Sequence, residues 1–238
     1  MRPITPGARP IAWAALAGWG AGLIARDSIT ALGLVAPASP AMSAIVGAAG
    51  IVGGLVGGYV AGASGGYRAA GLALVLPLVV AVLGVLSRGL GGFLGLVPPL
   101  IGAAVSLAVK PTVTARSAIL EGLGAFLIAR ELLALDVLAR VPGTSRTSVM
   151  TLAAVLAAVV LARRAAKPWL DALMVSAIVV LVHVLPTLIA ILRAGVPRLD
   201  TIVRAQWAYD LGAAVAIPLV ASLIALLMRR AAVSSGEV

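Results

Sequence analysis

Long apolar runs, broken by short polar or Gly/Pro-rich stretches, follow one another from end to end of this chain. Barrel strands would alternate apolar and polar positions over about ten residues, so continuous runs predict membrane-spanning helices. Eight spans are expected. The first runs from Trp13 to Ala36, interrupted by Arg26 and Asp27 and closed by Pro37 and Pro40. The second runs from Ala41 to Ala63 and ends at Ser64-Gly65-Gly66. The third covers Ala69 to Ser87, and the fourth Leu90 to Val109, with Pro98-Pro99 expected to kink it. The fifth covers Ser117 to Ala139 and the sixth Ser148 to Ala162. The seventh covers Trp169 to Leu192, with Pro186 inside, and the eighth Ala205 to Met228. The connection Arg88-Gly89 is very short, so seven spans or a re-entrant fourth segment fit the same pattern. The fold class is therefore all-α, a polytopic transmembrane helical bundle.

Residues 15–27 read ALAGWGAGLIARD and residues 119–131 read ILEGLGAFLIARE. Eight of these thirteen positions are identical, Arg26/Arg130 among them, and Asp27 and Glu131 keep the charge. Ala, Leu and Gly matches arise easily in such a chain, but an Arg-acid pair inside an apolar helix does not. A weaker match joins Pro99–Lys110 to Pro218–Arg229. Together they predict two four-span halves in parallel duplication, residues 1–112 and 113–238, within one integral membrane domain.

Composition supports the membrane reading. The 238 residues are 62% hydrophobic and 11% charged, with mean hydropathy +1.15. A soluble domain is about 45–50% apolar and about 25% charged, so a soluble single-core protein is excluded, as is disorder. The chain has no Cys and a single His, His183, which excludes disulfides and thiolate or His-cluster metal sites. No cofactor is expected. High Ala, Gly and Arg with little Lys suggest a prokaryotic gene. Arg2 and Arg9 before the run Ile11 to Ala25 mimic a signal peptide, but the pattern recurs in mid-chain, so no cleavage is expected.

The net charge of +10 would suggest nucleic acid in a soluble protein. Here most basic residues flank apolar runs, so they are expected to orient the spans and meet anionic lipid headgroups, with no direct nucleic-acid binding. Counted by side for eight spans, ten basic residues fall with the termini and six on the opposite side. This bias predicts a multi-pass cell-membrane protein with both termini cytoplasmic.

Charges within spans are costly, about 2.5–3.5 kcal/mol at the bilayer centre, and mark polar paths or interhelical contacts. The candidates are Arg26, Asp27, Arg130 and Glu131, with crosswise pairs Arg26–Glu131 and Arg130–Asp27 expected. Glu121 shares a helix face with Gly124, Ile128 and Glu131. His183 lies near the middle of its span. Asp171 and Asp210 fall in the first turns of their spans, where acids favour the positive helix end. Gly50, Gly54, Gly58 and Gly62 form a glycine-zipper row for close helix packing, beside Gly53, Gly57 and Ala61. Gly18 and Gly22 repeat the spacing.

No phosphate loop, nucleophile elbow or dinucleotide fingerprint is present, so an enzyme is not expected; a lipid-modifying membrane enzyme is the enzymatic alternative. The expected function is a transporter or channel-like permease for a small or charged solute, with its site between the two halves. The alternative is a non-catalytic membrane subunit of a secretion, import or respiratory assembly. Partners are then the bilayer, a homo-oligomer or other membrane subunits.

Overall fold

The computed structural model describes residues 8–36, 39–75, 77–79, 82, 96–109, 117–134, 146–194 and 201–234. The described residues are nearly all helical, with no strand among them. We number the helices α1 (Ala8–Val35), α2 (Pro40–Ala73), α3 (Val97–Val109), α4 (Ser117–Ala134) and α5 (Arg146–Arg164). Helix α6 is continuous from Pro168–Val179 through a π-helical stretch, Val180–Val184, to Leu185–Ala194, and α7 is Thr201–Ser234. Among the described residues, Pro40–Val79, Pro168–Arg193 and Trp207–Ala231 are long and apolar enough to cross a membrane. Contacts divide the chain into two units, Met1–Gly124 and Ala125–Val238.

In the first unit, α1 and the start of α2 run antiparallel with their backbones almost touching. A methyl group on Gly18 would lie 2.7 Å from the Gly57 carbonyl oxygen, and one on Gly22 would lie 2.6 Å from that of Gly53. Gly54, Gly58 and Gly62 instead meet α3, at Pro98, Pro99, Ala103 and Ser106. Both residue numbers rise together along this second contact, so α2 and α3 run parallel. The two small-residue rows of α2 thus serve two different neighbours, while Gly50 has open space beside it. Pro98 and Pro99 fall in the first turn of α3 as described, where the missing N–H needs no intrahelical acceptor. The part of the expected fourth span before Pro98-Pro99, residues 90–95, lies outside the described residues.

Ser39 caps α2, its Oγ accepting from the Met42 N–H at 3.1 Å, with Pro40 in the first turn. The helix breaks at Gly66, where φ is 68° and ψ is −162°, a region open essentially to glycine alone. The break reverses the chain. Ala61 and Ala73 pack in one cluster with Ala15 and Trp19, and the Trp19 Nε1–H donates to the Ala73 carbonyl at 2.6 Å. A straight helix would carry Ala73 ~18 Å beyond Ala61. The second expected span, Ala41 to Ala63, falls in the first arm, and the third, Ala69 to Ser87, begins in the second; residues 76, 80, 81 and 83–95 lie outside the described residues.

In the second unit, α7 packs against α5 and the whole length of α6. Asp210, Ala213, Ala214, Ile217 and Ala221 form its buried stripe, while Leu211, Val215, Leu219, Leu223 and Leu226 are exposed. The spacing is that of one helix face. Small buried alanines in α5 (Ala153, Ala154, Ala157, Ala158) let the helices approach closely. Helix α5 begins at Arg146 and ends at Arg164, one turn longer than the apolar run alone.

Candidate functional site

The best-defined polar contact joins α4 to α7. Arg130 Nε donates to Asp210 Oδ1 at 3.1 Å and Nη2 to Oδ2 at 3.3 Å. This is the two-pronged geometry that guanidinium and carboxylate planes favour. The Asp210 side chain is 2% exposed and that of Arg130 22%. Removing Asp210 would take this carboxylate from a largely buried guanidinium, so Asp210 fixes the place of Arg130.

Sequence reasoning assigned Asp210 to a helix end, and the structure corrects that. The apolar run begins at Ala205, but the helix begins at Thr201. Asp210 therefore lies well past the first turn, beyond the reach of the terminal dipole. The signal that could have found it is the stripe Asp210-Ala213-Ala214-Ile217-Ala221, which puts the acid on the small-residue face.

Arg26 and Asp27 pair with each other. Arg26 Nη2 lies 2.6 Å from Asp27 Oδ1, and Nε donates to the same oxygen at 2.7 Å. Adjacent helix positions diverge by about 100°, but the long arginine stem curls back across that angle. Arg26 Cβ also lies where a methyl on Gly53 would stand, 2.8 Å away. Each arginine thus has a carboxylate partner inside its own unit. The crosswise pairs run between the units and stay an expectation.

Glu121 is buried in α4 at 1% exposure, among the largest fully buried side chains. Residues 118–127 of α4 are buried around nearly the whole circumference, as an apolar helix without a polar face requires. Glu131 is half-buried. The repeat segments meet reciprocally. A methyl on Gly20 would strike the Leu120 carbonyl, and one on Gly124 would strike that of Leu16. These positions correspond in the aligned segments, so residues 16–20 and 120–124 touch as a locally two-fold pair.

His183 lies in the π-helical stretch of α6 and is buried. Pro186 accounts for the widening. It has no N–H, and its ring would collide with the carbonyl of Val182 in a regular helix. The Leu185 N–H reaches the Val180 carbonyl, five residues back, and Thr187 Oγ1 donates to the His183 carbonyl at 2.7 Å. The π stretch packs against α7. Pro168 and Met228 line one hollow, which sets the antiparallel register of α6 and α7. Counting from that point puts His183 level with Ala213, about one turn from Asp210.

Helix α6 buries Asp171, Ser176 and His183, with Ser176 and His183 nearly in line and Asp171 about 140° around the helix from Ser176. Asp171 does stand in the first turn, as expected of a helix-end acid. Ser176 Oγ is buried with no hydrogen-bond partner among the described residues. The outward positions Leu173, Met174, Leu181 and Leu185 are exposed and apolar. In the second unit, apolar side chains thus face outward along the middle of α6 and α7, while Asp171, Ser176, His183 and Asp210 lie among the buried residues. Among the described residues no group of His, Asp and Glu could hold a metal. Asp136 and Arg140 lie outside the described residues. Comparison with protein-family models, curated proteins and solved structures finds no match for this chain.

Proposed function

We propose that the protein is a membrane permease for a small or charged solute, with its polar path in the second unit. The observation that carries this reading is the burial of four polar side chains, Asp171, Ser176 and His183 on α6 and Asp210 on α7, within an otherwise apolar helix pair. A purely structural helix pair in lipid needs only small residues there. Polar side chains spread along the depth of an apolar hairpin supply successive contacts for a solute that must leave water. From Asp210 to Arg229 is about 28 Å along α7 at 1.5 Å per residue, close to the about 30 Å of a hydrocarbon core. The Arg130–Asp210 pair then stands at one mouth of the path, where its opening and closing would gate entry. The sequence expectation put the site between the duplicated halves; the groups that support this proposal lie within the second unit. Multi-pass residence in the cell membrane with cytoplasmic termini belongs to the same proposal.

The natural absence of Cys supplies the test. Single cysteines replacing Ser176, His183 and Ala213 are treated with a charged, membrane-impermeant thiol reagent from each side of sealed vesicles. Labelling that becomes faster in an Asp210→Asn background supports a gated path. No labelling of any of the three from either side, in either background, overturns it. A membrane subunit of a larger assembly is the second reading, favoured by the open space beside Gly47 and Gly50 on α2; partners retained through gentle extraction would favour it.

A further inference from the structure

At the end of the second unit opposite Asp210, a hollow of about 290 Å³ is lined by Ala162, Ala165, Ala166, Pro168, Ala225, Met228 and Arg229. Apart from Arg229 the side chains lining it are apolar, and further basic residues are chain neighbours of that lining. Arg163, Arg164 and Lys167 stand at the α5–α6 turn, and Arg229 and Arg230 near the end of α7, all exposed. Asp171 is the acid nearest along the chain, and it is buried in α6 rather than facing this rim. Trp169, 56% exposed at the start of the apolar stretch of α6, marks the level where aromatic rings meet headgroups.

We infer that this hollow is a seat for one anionic phospholipid. The basic rim takes the phosphate and the headgroup charge, and the alanine, proline and methionine walls take the glycerol region and the first methylenes. Basic clefts between helices at a membrane face hold such headgroups by charge and shape together. A free phosphate ion would use the rim and leave the apolar walls in water. A diffuse attraction of the basic end to a charged surface would use the rim and ignore the hollow. Both alternatives differ from a seated lipid in what they require of Ala165.

The full-length protein is reconstituted in nanodiscs of phosphatidylcholine and phosphatidylglycerol in equal amounts, re-extracted, and examined for retained lipid by native mass spectrometry. The expected result is one phosphatidylglycerol per chain, retained about tenfold over phosphatidylcholine. Replacing Arg163, Lys167 and Arg229 together by Gln removes the preference. Ala165→Phe fills the hollow without changing charge and removes it too. Arg68→Gln with Arg193→Gln, charges elsewhere, leaves it intact. The substituted basic residues are exposed, and unchanged helicity by circular dichroism certifies each variant. Equal retention of the two lipids by the wild type overturns the assignment. So does wild-type retention by the triple variant or by Ala165→Phe, the latter showing surface charge alone. Full displacement of phosphatidylglycerol by inorganic phosphate alone overturns it in favour of a free-anion site.

Discussion

In the first unit, Gly18 and Gly22 on one helix and Gly53 and Gly57 on the next let two backbones touch, with little side chain between them. In the second, Arg130 and Asp210 join their helices through the tips of two side chains, and alanines fill the rest. Lipid tails are as apolar as leucine, so burial of apolar surface holds neither contact in a bilayer. The first unit relies on close van der Waals approach, which is rigid and fails when any atom is added. The second relies on a charge pair, which is strong while intact and separable without steric obstruction. The two units are thus held by contacts of different kinds, and a substitution acts on each in a different way.

The comparison breaks most sharply at Asp210. Asp210→Ala leaves Arg130 facing a buried gap, and the expected loss is about 3 kcal/mol, read as the midpoint of unfolding in detergent. Exchanging the two residues, Arg130→Asp with Asp210→Arg, should recover much of it; no recovery would show that the pair holds its place by shape rather than charge. Next comes Gly58→Val, which drives a branched side chain into the Pro99 carbonyl region and should cost about 2 kcal/mol, more if α3 separates. Gly66→Ala tests conformation alone, since nothing stands within 4 Å of an added methyl there. Its positive φ should still cost about 1–2 kcal/mol. Asp27→Asn should cost about 1 kcal/mol or less, because Arg26 is 29% exposed and reaches solvent or headgroups by itself. At the small end, Gly212→Ala in α7 meets open space and should stabilise by a few tenths to about 1 kcal/mol through helix propensity. A large loss there would erase the contrast between the units.

The helical character of the chain was legible because apolar periodicity and run length are local properties. So were both glycine rows of α2: fourfold spacing puts them on a helix side whatever packs there. What a row packs against was not legible, since adjacent rows of one helix serve α1 and α3. The Arg26–Asp27 neighbourhood was visible, but the contact of these two side chains with each other was not foreseen, because a straight projection ignores how far an arginine stem bends. Asp210 was misread for a different reason. Hydropathy begins the span at Ala205, yet Thr201 to Arg204 also wind into the helix, and four residues move an acid from the first turns to the interior. Its partner Arg130 is 80 residues away, and no local pattern announces such a contact. Pro186 foretold an irregularity in α6, while the choice of a π turn depends on which carbonyl the freed N–H groups reach.

The reversal at Gly66 has a consequence for how the protein enters its bilayer. The residues linking the two arms, Ser64 to Arg68, carry a single charge, Arg68. At the other end of the first arm stand Pro37, Ala38 and Ser39, with no charge at all. In the orientation proposed above, Arg68 stays on the cytoplasmic side, while the uncharged segment and the connection that follows the second arm, with Arg88, are carried across. One glycine's backbone freedom therefore lets the turn and Arg68 stay among the cytoplasmic headgroups while both arms insert, and the charge carried across is Arg88, beyond the far end of the second arm.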